Sequence, residues 1–218
     1  MSHPASRKIN KRSLLVKPKR RSGSRTSNAE MTAQSKTRIL ETTTQCLAEL
    51  GYAGTTMSEI ADRVGLTRAA LIYHFSSKHE LMVAVMNALY DEMTVRFSAA
   101  APSFLAPKER LLAVIDTMGN HASSLNQMAL IELLLAARQD PDFRDEVAPT
   151  VARREAIFDK AWQELIANFS NEQRLETLRD LAVATMRGIT IGRSLGDDPR
   201  FDRQIAELRR LFLEAISE

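Results

Sequence analysis

The sequence is poor in cysteine, histidine and long apolar runs. Its 218 residues include one cysteine and four histidines. A lone Cys46 cannot form an intrachain disulfide, which excludes a disulfide-stapled secreted fold and favours a reducing cytoplasm. Without a cysteine pair, a structural zinc site is improbable, and we expect neither metal nor cofactor. The longest apolar stretch, 128–137, is interrupted by Glu132, so it is far shorter than the roughly 20 residues of a membrane span.

Recognisable catalytic motifs are also lacking. The chain has no glycine-rich phosphate loop and no H-E-x-x-H pair. Cys46 falls on the apolar face of the first predicted helix, the setting of an inert thiol. We therefore predict no catalytic residues and consider an enzyme unlikely.

Positive charge is concentrated at one end of the chain. Residues 1–30 carry nine Lys/Arg and one acid, whereas the rest has a net charge of −5. With so few apolar side chains, residues 1–31 are predicted to be a disordered basic arm. The arm is interpreted either as a nucleic-acid contact or as a solubilising extension. Its apolar cluster at 14–16 is too short for a signal peptide.

From about Thr32 onwards the hydrophobic pattern is helical. Apolar residues recur at spacings of three and four, and no segment alternates as a strand does. We predict an all-α fold of about nine helices, with a small N-terminal unit joined to a larger C-terminal bundle. The predicted domains are 32–80 and 81–218. The eighth helix is predicted to be capped by Ser170, and Pro149 to lie near the start or at a kink of the seventh.

The segment Gly51–Leu81 carries the functional signal. Thr56-Met57-Ser58-Glu59 and Ser77-Lys78-His79-Glu80 have the form of capping boxes, and Gly65-Leu66 forms a tight turn between two short helices. The second helix starts with small side chains beside an arginine, which suits entry into a major groove about 12 Å wide. Helix N-termini and polar groups near them suit phosphates. The predicted DNA-binding residues are Thr56, Thr67, Arg68, Ala69, Ala70, Tyr73, His74 and Lys78.

This segment closely resembles the DNA-binding domain of the TetR family of bacterial transcriptional regulators. The resemblance covers roughly residues 37–86 and rests on Gly51-Tyr52, Thr55-Thr56, Ile60-Ala61, Gly65-Leu66-Thr67, Leu71, Tyr73-His74-Phe75, Lys78 and Leu81. It implies an all-α homodimer in which helices 1–3 bind DNA and helix 4 is a link. Helices 5–9 would respond to a ligand and dimerise, with the last two pairing across the dimer axis. The basic arm precedes the usual start of the family pattern.

Candidate ligand and dimer residues follow from composition and helical position. A ligand site in a bundle needs apolar walls and a few polar groups, for which we select Met118, His121, Gln127, Met128, Trp162, Met186 and Arg193. His121, Met128 and Trp162 are more typical of core residues than of a ligand site. For the dimer we select Leu181, Ala184, Gly188, Gly192, Leu208, Leu211, Phe212 and Ala215. Gly188 and Gly192 indicate either a dimer seam or tight packing within one subunit.

Together these features predict a sequence-specific transcriptional regulator. We expect a repressor that is released from a palindromic double-stranded DNA operator by a small apolar effector. Its other partner would be a second copy of itself, and we expect no membrane association. The protein would be in the bacterial cytoplasm, and on the nucleoid when it is bound to operator. The alternative is a non-specific architectural DNA-binding protein, which would bind random duplex as well as it binds an operator.

Overall fold

A computed structural model describes residues 25–217, with side chains described from residue 30. Within this range the chain forms helices and no strand, which confirms the predicted all-α class. The helices are α1 (Arg25–Gly54), α2 (Met57–Val64), α3 (Arg68–His74), α4 (Lys78–Ala100), α5 (Pro107–His121), α6 (Leu125–Gln139), α7 (Pro141–Ile166), α8 (Glu172–Leu195) and α9 (Pro199–Ala215).

Short polar side chains start the helices around the turn. The hydroxyl oxygens of Thr56, Thr67 and Ser77 accept hydrogen bonds from backbone N–H groups three residues later, at 3.2, 3.1 and 3.0 Å. Each bond satisfies an N–H that the helix itself cannot pair. The return bonds of the two capping boxes differ from prediction. Glu59 accepts from Arg63, and Glu80 accepts from the backbone and side chain of Ser76.

Three helix boundaries differ from the sequence-based prediction. The first helix begins at Arg25 rather than near Thr32, so residues 25–31 are not part of a disordered arm; residues 1–24 lie outside the described range. The N-cap of α8 is Asn171, not Ser170. Pro149 lies well inside α7. That helix starts earlier because the Asp140 carboxylate accepts from the Phe143 N–H at 3.0 Å and Pro141 suits the first turn.

Two hydrophobic cores hold the helices together. The first joins α1–α4 to α6 and the start of α7, with Ile39, Leu71, Met82, Leu133 and Phe143 among its fully buried side chains. The second joins α5, the end of α7, α8 and α9. The predicted domain boundary at 80/81 therefore falls within one core and near the start of a continuous helix, α4.

The inward faces of α8 and α9 correct part of the dimer prediction. Leu208, Phe212 and Ala215 are buried in the second core, and Leu211 packs against it. A side chain at Gly192 would bring its Cβ to 2.4 Å from the Phe201 ring of the same subunit. These residues pack within the subunit because α9 covers α8 there, so we remove them from the dimer interface proposed below.

Gly65 ends α2 in the left-handed conformation, with φ 76° and ψ 34°. A Cβ at this position would have open space around it, so substitution isolates backbone strain. Gly65→Ala should lower the free energy of unfolding by about 1–2 kcal/mol, because L-residues other than asparagine and aspartate rarely adopt this conformation. Gly65→Asn should cost less, since asparagine tolerates it. Urea unfolding followed by circular dichroism compares the two; equal losses would contradict this account.

Candidate DNA-binding surface and effector region

The helix-turn-helix is fixed by what α2 and α3 bury. Ile60, Ala61 and Val64 of α2 and Leu71 of α3 lie in the first core. From α1, the Arg38 guanidinium donates to the Val64 carbonyl at 3.1 Å. This bond satisfies a carbonyl that the helix leaves unpaired at its C-terminus. The buried side of α3 therefore faces α1 and α2, and its opposite side is left to solvent.

That opposite side carries most of the predicted DNA-binding residues. Thr67, Arg68 and Ala69 are exposed, and Ala70 is half-buried. Because the Thr67 oxygen accepts from the Ala70 N–H, its hydroxyl hydrogen stays free to donate. Tyr73 is 85% exposed and meets the His74 ring edge-on at 5.6 Å between centroids. Because the Tyr73 side chain is so exposed, its hydroxyl group can reach a DNA phosphate.

Two arginines flank the turn in different electrostatic settings. Arg63 contacts Glu49 at 2.5 Å and Glu59 at 2.6 Å, and these hydrogen bonds raise the pKa of its guanidinium. Its partners are thus carboxylates of α1 and α2. Arg68 forms no ion pair with any side chain of the described residues. Its guanidinium is therefore free to donate two hydrogen bonds to guanine.

Lys78 is placed differently from the expectation that it contacts a phosphate. Its ammonium donates to the Tyr52 carbonyl at 2.7 Å and lies 3.9 Å from the centroid of the Tyr52 ring. Burial lowers the pKa of Lys78. Its position joins the start of α4 to the end of α1, and a phosphate would have to share its remaining donors.

A junction that the sequence analysis missed ties these helices to α6 and α7. Glu132 of α6 accepts from the Tyr52 N–H at 3.0 Å. His79 lies 3.2 Å from both Asp140 and Glu146, and its ring packs at 5.1 Å from that of Phe143. The one available signal was Glu132 itself, a lone acid within an apolar run. Movement of α6 or α7 would thus act on α1 and α4, the helices on either side of the DNA-reading pair in the chain.

The predicted ligand residues lie in different surroundings. Met118, Trp162 and Met186 belong to the second core. His121 is buried, and burial lowers its pKa. The guanidinium of Arg193 is engaged by Ser123 and Asp202. Gln127 and Met128 are half-buried.

Two surface concavities lie elsewhere on the described part of the chain. One, of about 410 Å³, lies between α6 and α7 and is lined by Leu134, Val147 and Val151 among others. The other, of about 480 Å³, surrounds residues 170–177. Neither includes a predicted ligand residue.

The sequence also supports predictions about the Cys46 thiol, metal binding and membrane spans. Cys46 is fully buried, and burial raises its pKa, as expected for an inert thiol. Among the described residues, no cluster of three or more His, Cys, Asp or Glu has the arrangement of a metal site. No helix in residues 25–217 combines the length and apolarity needed to cross a bilayer.

Comparison with known proteins agrees with this geometry. Residues 39–85 match the family model described as bacterial regulatory proteins, tetR family. Residues 39–85 therefore form a DNA-binding domain of the tetR family. It is 26% identical over 191 residues to the HTH-type transcriptional regulator CymR of Pseudomonas putida, covering 86% of this chain and 91% of that protein. It is 31% identical to the HTH-type transcriptional repressor AcnR of Corynebacterium diphtheriae over 55% of this chain and 58% of that one.

Solved structures extend the likeness to the whole fold. The crystal structure of SCO4454, a TetR-family transcriptional regulator from Streptomyces coelicolor, superimposes with a TM-score of 0.68 at 22% identity, covering 85% of this chain and 97% of that one. This chain is therefore a DNA-binding transcriptional regulator with an N-terminal helix-turn-helix and a C-terminal helical domain. Its relatives are regulators, which confirms the expectation that it is not an enzyme.

Arg68 and Arg63 make a matched pair for testing base readout. Arg68→Ala should weaken binding to the preferred duplex by about 1–3 kcal/mol and relax the preference at one base pair per half-site. Arg63→Ala should leave the selected motif unchanged, because carboxylates already occupy its guanidinium. Selection from a random duplex pool with each variant measures both effects. An unchanged motif for Arg68→Ala would show that another face of α3 reads the bases.

Proposed function

We propose that this TetR-family regulator is a repressor that binds a palindromic operator as a homodimer and is released by a small effector. The observation that carries the proposal is the outward face of α3. It presents unpaired Arg68 beside exposed Ala69 and half-buried Ala70, so the backbone can approach base edges while one long donor reads them. We assign the contacts with the sugar–phosphate backbone of DNA to Thr56, Thr67, Tyr73 and His74. Lys78 would help to hold these residues in position.

The homodimer follows from an unpartnered face of α8. Leu181, Ala184, Gly188, Ile191 and Leu195 recur at spacings of three and four along it and are all exposed. Leu195 is 88% exposed, and a Cβ at Gly188 would meet nothing within the subunit. A helical stripe of this kind can pack against its own copy about a two-fold axis. Two α3 helices would then enter successive major grooves, about 34–36 Å apart.

Release by an effector is supported by the way the helices are joined. The junction at Glu132, Tyr52 and His79 connects α6 and α7 to the DNA-reading helices. A molecule that favours another arrangement of the C-terminal helices would lower the affinity of the protein for DNA. Bound DNA would lower the affinity for that molecule by the same factor. Repression is the mode named for the relative AcnR.

Operator discrimination is the direct test of this function. The duplex selected from a random pool should be palindromic and should bind at least about 10³-fold more tightly than random duplex at the same salt concentration. Fluorescence anisotropy with both duplexes measures the ratio. Equal affinity for the two would instead indicate a non-specific architectural protein.

The dimer is tested by placing a charge on the α8 stripe. Ile191→Glu should produce a monomer at micromolar concentration, because a buried unpaired carboxylate is costly, and operator affinity should fall with it. Val95→Glu, on an exposed position of α4, is the matched control and should stay dimeric. Sedimentation velocity gives the oligomeric state. A monomeric wild type, or a dimeric Ile191→Glu with unchanged affinity, would contradict the assignment.

A further inference from the structure

Arg154 is a buried cation that contacts no counter-ion among the described residues. It lies on α7 and is 5% exposed. Its Nε and Nη2 atoms are buried and have no hydrogen-bond partner among the described residues. The charge of Asp91 acts on it, but no carboxylate of the described residues forms an ion pair with it. Burial lowers the pKa of Arg154, although a guanidinium remains charged in proteins.

The contrast with neighbouring arginines shows how unusual this arrangement is. Arg179, Arg193 and Arg209 contact carboxylates on the surface of the C-terminal helices. These side chains are more exposed than Arg154, so water already compensates much of their charge. A buried charge needs a partner far more than an exposed one does. The lack of one at Arg154 indicates that the partner comes from outside the described residues.

The surroundings of Arg154 are aromatic. Its guanidinium carbon lies 4.0 Å from the centroid of the Phe158 ring and 5.5 Å from that of Tyr90 on α4. Phe97, also on α4, meets Phe158 edge-on at 5.9 Å. Such rings stack on a guanidinium and provide apolar contact for a ligand body. One cation in an apolar setting suits one negative charge rather than a strongly hydrated phosphate dianion.

A second unpaired donor lies on the same side of α7. Residues 154, 158 and 162 are spaced four apart, so their side chains share one face of the helix. Trp162 is buried, and its indole Nε1 has no hydrogen-bond partner among the described residues. Most buried polar groups in proteins are paired. Two unpaired donors on one helix face, with an aromatic ring between them, therefore mark a polar ligand bound within the C-terminal helices.

We propose that Arg154 binds the carboxylate of an apolar monocarboxylic acid held between α4 and α7, and that this acid is the effector. The effector role rests on the proposed function, which it makes more specific. A guanidinium presents two parallel N–H donors that match the two oxygens of a carboxylate. The hydrocarbon or aromatic part of the acid would contact Tyr90, Phe97 and Phe158.

The position also gives the acid a mechanical connection to the DNA-reading helices. Near Arg154, the Thr150 hydroxyl and the Arg153 guanidinium both donate to the Asn87 side-chain oxygen, at 3.3 and 2.8 Å. These bonds hold α7 to α4, and α4 begins at Lys78, beside the end of α3. An acid inserted between α4 and α7 would alter this contact and so shift the start of α4.

The first test compares matched acids and amides with the full-length protein. The probes are benzoate, 3-phenylpropionate and octanoate, each beside its neutral primary amide. We expect at least one acid at millimolar concentration to raise the melting temperature and shift the emission of Trp162, the single tryptophan of the chain. Its amide should do neither, because it lacks the charge. Failure of all three acids, or equal effects of acid and amide, would overturn the proposal.

The second test uses Arg154→Met, with Arg144→Met, at an exposed position of the same helix, as control. Loss of the charged hydrogen bonds should weaken acid binding about 10- to 100-fold in Arg154→Met, and Arg144→Met should retain it. Without acid, Arg154→Met should melt about 2–4 °C above wild type, because a buried unpaired charge is replaced by an apolar side chain. A structural arginine would give the opposite result. A lower melting temperature than that of Arg144→Met would overturn the proposal.

The effector role is measured separately from the site. The acid that binds should lower affinity for the selected duplex in wild type and not in Arg154→Met at the same concentration. Acid binding that leaves operator affinity unchanged overturns the effector assignment. A wild-type protein that fails to discriminate between duplexes without acid refutes the proposed function instead, and acid binding is still read from Trp162.

Discussion

The DNA-reading helices are held in place by a core that they share with α6 and the start of α7. Helices α2 and α3 have 8 and 7 residues, too short to be stable on their own. Their apolar faces meet α1, whose buried residues include Ile39 and Leu47, and the same core continues to Leu133 and Phe143. The orientation of α3 toward DNA thus depends on packing that extends through both parts of the chain.

This shared core explains why polar contacts cluster at its edge. Glu132 pairs with the Tyr52 N–H, Lys78 with the Tyr52 carbonyl, and His79 lies between two acids. Each of these groups would be costly to leave unpaired when half-buried. Together they restrict how α1, α4, α6 and α7 can slide against one another, which is the property needed to transmit a change from the C-terminal helices to α3.

The C-terminal helices are tightly packed in one region, but elsewhere they leave hydrogen-bond donors unpaired and apolar side chains exposed. Around Phe212 and Leu175 the second core is well buried, and Gly192 lets the Phe201 ring approach α8 closely. On the α4-facing side of α7, by contrast, Arg154 keeps unpaired donors among aromatic rings. On the outer side, α8 exposes an apolar stripe. We propose that a ligand binds beside Arg154 and that a second subunit packs against the α8 stripe.

The sequence by itself determined the helical class and the reading unit. Capping threonines, the glycine of the turn and apolar spacing are local signals, and Thr56, Gly65 and Thr67 all act as those signals predict. Only the tertiary structure decided which apolar residues of α8 and α9 face inward, because both faces of α8 carry apolar residues. It likewise placed Lys78 on Tyr52 and left Arg154 without an ion pair among the described residues. Both results depend on residues far apart in the chain, whose contacts follow from helix packing rather than from local pattern.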